Sequence, residues 1–168
     1  MNTKTKGTIR SLAVLSAIVL TVVTTVPAAE QGNAGFEKLK SLVGTWEAPG
    51  QSGTPVTVTY KLVSGGSALM EELSVADMVT MYYPDGDSVM LTHYCAGNNQ
   101  PRMRAAGLAE GSKLNFKFVD VTNEKAAEHG IMKHLNVAFQ DADHFTAEWI
   151  NSKEGAESPM VMKFTRKK

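Results

Sequence analysis

The sequence predicts an all-β protein: an up-and-down antiparallel barrel of about ten strands with a short N-terminal helix, preceded by a signal peptide. Three observations carry that prediction. Apolar and polar residues alternate with period two from Thr45 almost to the C-terminus. Clusters of Gly, Asn, Asp, Ser and Pro interrupt the alternation in regular succession. One short stretch alone has the spacing of a helix.

Residues 1–28 have the three parts of a secretory signal. Lys4, Lys6 and Arg10 form a basic start, Leu12 to Val23 an apolar run, and Val26-Pro27-Ala28 a small-residue cleavage site, with Ala29 as a second choice. The run is shorter than the roughly 20 apolar residues of a membrane-spanning helix. The expectation is an exported protein, periplasmic or secreted, with no stable membrane insertion after cleavage. Residues 29–34 are small and polar and read as a flexible N-terminus, leaving 35–168 as one barrel domain.

The helical stretch is marked by Phe36, Leu39 and Val43, three to four residues apart, with Gly44 as its stop. Strands are then expected at 44–48, 56–63, 68–75, 78–83, 88–96, 102–108, 113–121, 131–139, 144–150 and 160–166. Ser64-Gly65-Gly66, Pro84-Asp85-Gly86-Asp87, Gly97-Asn98-Asn99-Gln100-Pro101 and Glu110-Gly111-Ser112 separate them, and each supplies residues that fix a turn or tolerate positive φ.

Composition excludes several function classes. Removing Lys4, Lys6 and Arg10 with the signal leaves 14 basic against 17 acidic residues, a net charge of −3. No basic block remains except Arg166-Lys167-Lys168, so nucleic acid is not an expected partner. Cys95 is the single cysteine, so the domain must be held by packing rather than by an internal disulfide. No metal-ligand spacing occurs, and no metal is expected.

Side chains two apart on a strand share a face. Val89, Leu91, His93 and Cys95 therefore form one set, Leu114, Phe116 and Phe118 a second, and Phe145, Ala147 and Trp149 a third, all expected inside. An Asp85-Gly86 turn would pair Tyr82 with Val89 and Thr80 with Leu91, making Tyr82 an inward hydroxyl near His93. For Arg102 and Arg104 the turns disagree. A four-residue Gly97–Gln100 loop points both arginines inward, where they could anchor a carboxylate, whereas a two-residue Glu110-Gly111 turn points them outward. A bulge or a longer loop would reconcile the two. The candidate ligand contacts are accordingly His93, Tyr82, Cys95, Arg102, Arg104, Phe116, Phe118 and Trp149. No catalytic constellation is apparent.

Gly44-Thr45-Trp46, after a short helix and at the start of the first strand, resembles the G-x-W signature of the calycins, the superfamily of lipocalins and fatty-acid-binding proteins. The resemblance implies that Trp46 closes one end of the barrel under a basic residue of the last strand, a place Arg166 can fill. Gly44, Trp46 and Arg166 are thus the expected closure. The stretch His93–Met103, with Asp141–Phe145 and Glu148-Trp149, is similar to a family of exported bacterial proteins that brings no established activity. The nitrobindins are a more distant likeness. Their haem is held by a C-terminal histidine, which residues 158–168 lack, so no haem or other cofactor is expected. The leading functional expectation is a barrel that binds a small, largely apolar molecule in its interior. The alternatives are a small enzyme using His93 as acid or base, and an interaction module with a filled barrel.

Overall fold

A computed structural model describes residue 1 and residues 33–50, 53–110, 112–124 and 130–168. The expected signal peptide, save Met1, and residues 29–32 of the expected flexible segment lie outside the described residues. Helix α1 spans Ala34–Lys40, earlier than its apolar spacing suggests. The reason is a cap: the Asn33 side chain accepts the Phe36 N–H at 2.8 Å and donates to the carbonyls of Gly86 and Ser88. Asn33 and Ala34 therefore belong to the barrel rather than to a loose N-terminus.

Ten strands follow: β1 (Gly44–Ala48), β2 (Val56–Val63), β3 (Ala68–Leu73), β4 (Met78–Asp85), β5 (Ser88–Tyr94), β6 (Gln100–Ala105), β7 (Lys113–Thr122), β8 (Ile131–Phe139), β9 (His144–Lys153) and β10 (Ala156–Arg166). Each pairs antiparallel with its sequence neighbours, and β1 pairs with β10, which closes the barrel and removes the free sheet edges. This is the predicted fold, and it is consistent with a calycin, lipocalin-like architecture.

One end of the barrel is shut. Phe36 and Leu39 of α1 are buried. Gly35 packs so close to Val89 and Leu114 that a Cβ there would lie 3.0 and 3.1 Å from them. Trp46 is buried beside them, its indole N–H donating to the Leu42 carbonyl at 2.6 Å and its ring meeting Phe145 edge-on at 4.9 Å. The Arg166 guanidinium lies 4.0 Å from the Trp46 ring centroid and donates to the carbonyls of Val43, Ser41 and Ala142.

The opposite end differs because its strands differ in length. β1 has five residues and β10 eleven. Their register runs through Trp46–Arg166 and Glu47–Thr165, so the N-terminal half of β10 extends beyond the end of β1. The β9–β10 hairpin, longer than the alternation indicated, projects there and exposes Met160 and Val161.

Two bulges reshape the wall. β7 shifts register against β6 between Arg102 and Met103, and β8 shifts against β9 between Met132 and His134. The conflicting turn readings are settled at β5–β6 instead: Cys95 faces Asn99 across a three-residue turn, so Thr92 pairs with Arg102 and Met90 with Arg104, and both arginines point outward.

Candidate functional site

Period-two geometry sends Tyr60, Glu71, Thr80 and His93 into the barrel from four consecutive strands. Tyr60 pairs with Glu71, Glu71 with Thr80 and Thr80 with His93, so the four side chains form one polar row across β2, β3, β4 and β5. The β4–β5 register differs from the expected one. The two-residue turn is Gly86-Asp87, which pairs Tyr82 with Leu91 and makes Thr80 the partner of His93. The shift is two residues in sum, so Tyr82 keeps its inward face.

Glu71 is only 4 % exposed. The Tyr82 hydroxyl donates to its Oε2 at 2.6 Å, the Thr80 hydroxyl to its Oε1 at 3.4 Å, and Tyr60 bonds it as well. Among the described residues no cation pairs with it. Burial pushes its pKa up, and the hydroxyls of Tyr82, Tyr60 and Thr80 only partly offset this. The phenols of Tyr60 and Tyr82 are pushed well above their ordinary value, by burial first and then by the charge of Glu71, so both stay protonated and donate.

His93 is 3 % exposed and its Nδ1 lies 2.9 Å from Thr80 Oγ1. Because Thr80 gives its proton to Glu71, its oxygen is free to accept from Nδ1–H. Nε2 is then a bare acceptor, and it is buried with no hydrogen-bond partner among the described residues. Burial lowers the His93 pKa to about 4. The ring faces Trp149 at 4.8 Å between centroids, and since β5 and β9 are not neighbours, this contact crosses the lumen.

Two spaces adjoin this row. The inner one, beside Glu71, Tyr60, Tyr82 and Trp149, measures about 10 Å³, the room of a single water. An enclosed ligand-sized pocket, expected from the sequence, is thus replaced by side-chain packing. The outer space is a cleft of about 640 Å³ at the open end, formed where β10 outruns β1. Pro55, Val56, Val75, Met78, Met160 and Val161 are among its walls. Leu73 and Met162 line both spaces and so form the partition between them.

The other sequence candidates are dispersed. Phe116 is fully buried, edge-on to Tyr82 at 5.8 Å between centroids. Phe118 is half-buried, outside the main core cluster, with the Lys133 ammonium 3.5 Å from its ring centroid. It pairs with the fully buried Met103 and shares the face of β7 that carries Leu114 and Phe116, at the point where pairing with β8 ends. Cys95 lies beyond the end of β5, in a turn closed by its N–H to the Asn99 carbonyl, and is half-buried rather than an inward strand residue. Arg102 and Arg104 are on the outer wall, engaging Asp120 and Asp85, and an inward carboxylate anchor is corrected to two surface ion pairs.

Glu71 and Tyr60 did not emerge from the sequence reading, although a signal existed. Glu71 lies midway between Leu69 and Leu73 on an alternating strand, and Tyr60 follows Val58 at the same spacing. Among known proteins, neither a family model nor a curated sequence matches the chain.

Proposed function

We propose that this chain is an exported binding protein that takes a small, largely apolar molecule at the open mouth of its barrel. The observation that carries the reading is the cleft of about 640 Å³, a volume in the range of ligand sites, walled by aliphatic and methionine side chains. Methionines at its rim and partition adapt to ligand shape more readily than branched residues do. A lumen plugged by His93 and Trp149 supports a ligand held at the mouth rather than in the core. Export rests on the signal-like residues 1–28 and on the likeness of His93–Met103 to exported bacterial proteins.

The test is a neutral fluorescent apolar probe, N-phenyl-1-naphthylamine, titrated into the full chain. Enhanced emission is expected, reduced at least fivefold in affinity by Val75→Asn with Met160→Asn. Both residues are exposed, so the substitutions spare the core. Absence of enhancement, or indifference to the double substitution, would end the reading. Native mass spectrometry of the protein from cells that make it then identifies a co-purified molecule.

The Glu71–Thr80–His93 row favours a second reading, in which Nε2 acts as a general base on a bound substrate. Hydrolysis of p-nitrophenyl acetate that disappears in His93→Gln supports it. Equal rates in the two proteins dismiss it.

A further inference from the structure

The geometry points to the inner chamber as a primary-amine subsite: the ligand's polar end is an ammonium group that crosses the Leu73–Met162 partition and meets the Glu71 carboxylate. This deepens the mouth-binding reading and rests on it, since the apolar part of the same ligand would occupy the cleft.

Four observations converge on that chemistry. Glu71 accepts hydrogen bonds from three hydroxyls, as a carboxylate does, yet no cation faces it among the described residues. An unpaired buried carboxylate is costly, and a ligand cation would remove that cost. Second, the chamber beside it is walled by Tyr60, Tyr82 and Trp149, whose ring faces favour a cation. Third, its volume of about 10 Å³ admits a group the size of water. A primary ammonium is that size, and a trimethylammonium is several times larger. Fourth, Leu73 follows Glu71 by two residues on the same face of β3, about 7 Å along the strand. An ammonium at Glu71 therefore leaves a short alkyl chain to reach the cleft.

The charge pattern rejects other head groups. A carboxylate would meet Glu71 with the same sign. An alcohol would gain a hydrogen bond but leave the charge uncompensated. The class assigned is thus an alkyl or arylalkyl primary amine.

The experiment is calorimetric titration of the full chain at pH 7 with octylamine, octanol, octanoate and octyltrimethylammonium. Octylamine is expected to bind at least tenfold more tightly than the other three, and Glu71→Gln is expected to bring it down to the level of octanol. Unchanged octanol binding in Glu71→Gln shows that the variant is folded. Should that variant fail to fold, the comparison of octylamine with octyltrimethylammonium in the unaltered protein decides the matter alone. Equal affinity for octylamine and octanol overturns the amine subsite and leaves the mouth cleft standing. Failure of every octyl compound to bind overturns the cleft, and the subsite with it.

Discussion

The Thr80 hydroxyl lies 2.9 Å from His93 Nδ1, and the two residues are direct cross-strand partners on β4 and β5. That pairing holds a neutral imidazole in the barrel with its Nδ1 proton engaged. The folded pKa is lowered by burial to about 4, against 6.5 when unfolded. The unfolded chain thus binds the proton more readily. The stability His93 contributes is complete above pH 6.5 and is lost as the pH falls through 4, by about 3 kcal/mol. Urea unfolding of the native protein and His93→Gln at pH 7 and pH 4 checks this. The native protein should lose more stability by about that amount, and parallel losses would assign the effect elsewhere.

Glu71 works with the opposite sign. Its folded pKa is raised above 4.5, so the folded state takes up a proton that the unfolded chain has released. Its contribution is fully present below pH 4.5 and disappears as the pH rises through the folded value. Relative to Glu71→Gln, the native protein should therefore gain stability on moving from pH 7 to pH 5. A carboxyl carbon titration by NMR gives the same answer directly, with a midpoint above 4.5 expected for Glu71.

These two groups also mark how far the sequence reaches. Alternation placed His93 with Val89 and Leu91, and all three are buried. The same rule applied to Leu69, Glu71 and Leu73 assigns Glu71 to the interior, but a carboxylate reads as a surface residue until its partners are known. Those partners come from β2 and β4, so they depend on register, and register depends on which two residues make each turn. Asp85-Gly86 and Gly86-Asp87 are both plausible turn pairs, and only the second brings Thr80 opposite His93. The bulges at Arg102/Met103 and Met132/His134 have no local sequence signature, so the alternation does not foresee that the wall loosens there and leaves Phe118 only half-buried. Trp46 and Arg166 were legible because a motif, rather than a pairing, identifies them.

Closure by those two residues has a measurable worth. Arg166 combines its cation–π contact with three hydrogen bonds to carbonyls of the α1–β1 connection and the β8–β9 turn. Arg166→Ala should cost about 2–3 kcal/mol in urea unfolding. Arg166→Lys should recover less than half, since a point charge cannot reproduce the guanidinium fork. Gly44 is tied to the same contact: it has φ +121°, and a Cβ there would lie 3.1 Å from Arg166 Nη1. Gly44→Ala is expected to destabilise through both backbone strain and displacement of that side chain. Full stability in either alanine variant would deny the closure its structural role.

The cleft rim stores strain. Ala76 and Asp77 join β3 to β4 with φ of +54° and +50°, a conformation that costs a non-glycine residue about 1 kcal/mol. Val75, their neighbour, lines the cleft. Ala76→Gly should relieve the strain and raise the unfolding midpoint slightly, the gain being reduced by the freedom glycine adds to the unfolded chain. If the turn positions Val75 for a ligand, the same variant should weaken N-phenyl-1-naphthylamine binding. A stabilised variant with unaltered binding would separate the strain from function.

Arg102 and Asp120 give the contrasting case of a short ion pair with little at stake. Arg102 Nε donates to Asp120 Oδ1 at 2.6 Å, and a second guanidinium nitrogen engages Oδ2. Both side chains are nearly half exposed, at 47 % and 45 %. Water therefore solvates the separated charges almost as well as they solvate each other, and salt screens what remains. Arg102→Ala should leave the urea unfolding midpoint almost unchanged, and the more so in about 0.5 M sodium chloride. It should leave binding of octylamine and of the neutral probe intact, since the arginine faces away from both cavity and cleft. A tenfold loss of either ligand would mean that the outer wall around β6 and β7, rather than the mouth, holds the site.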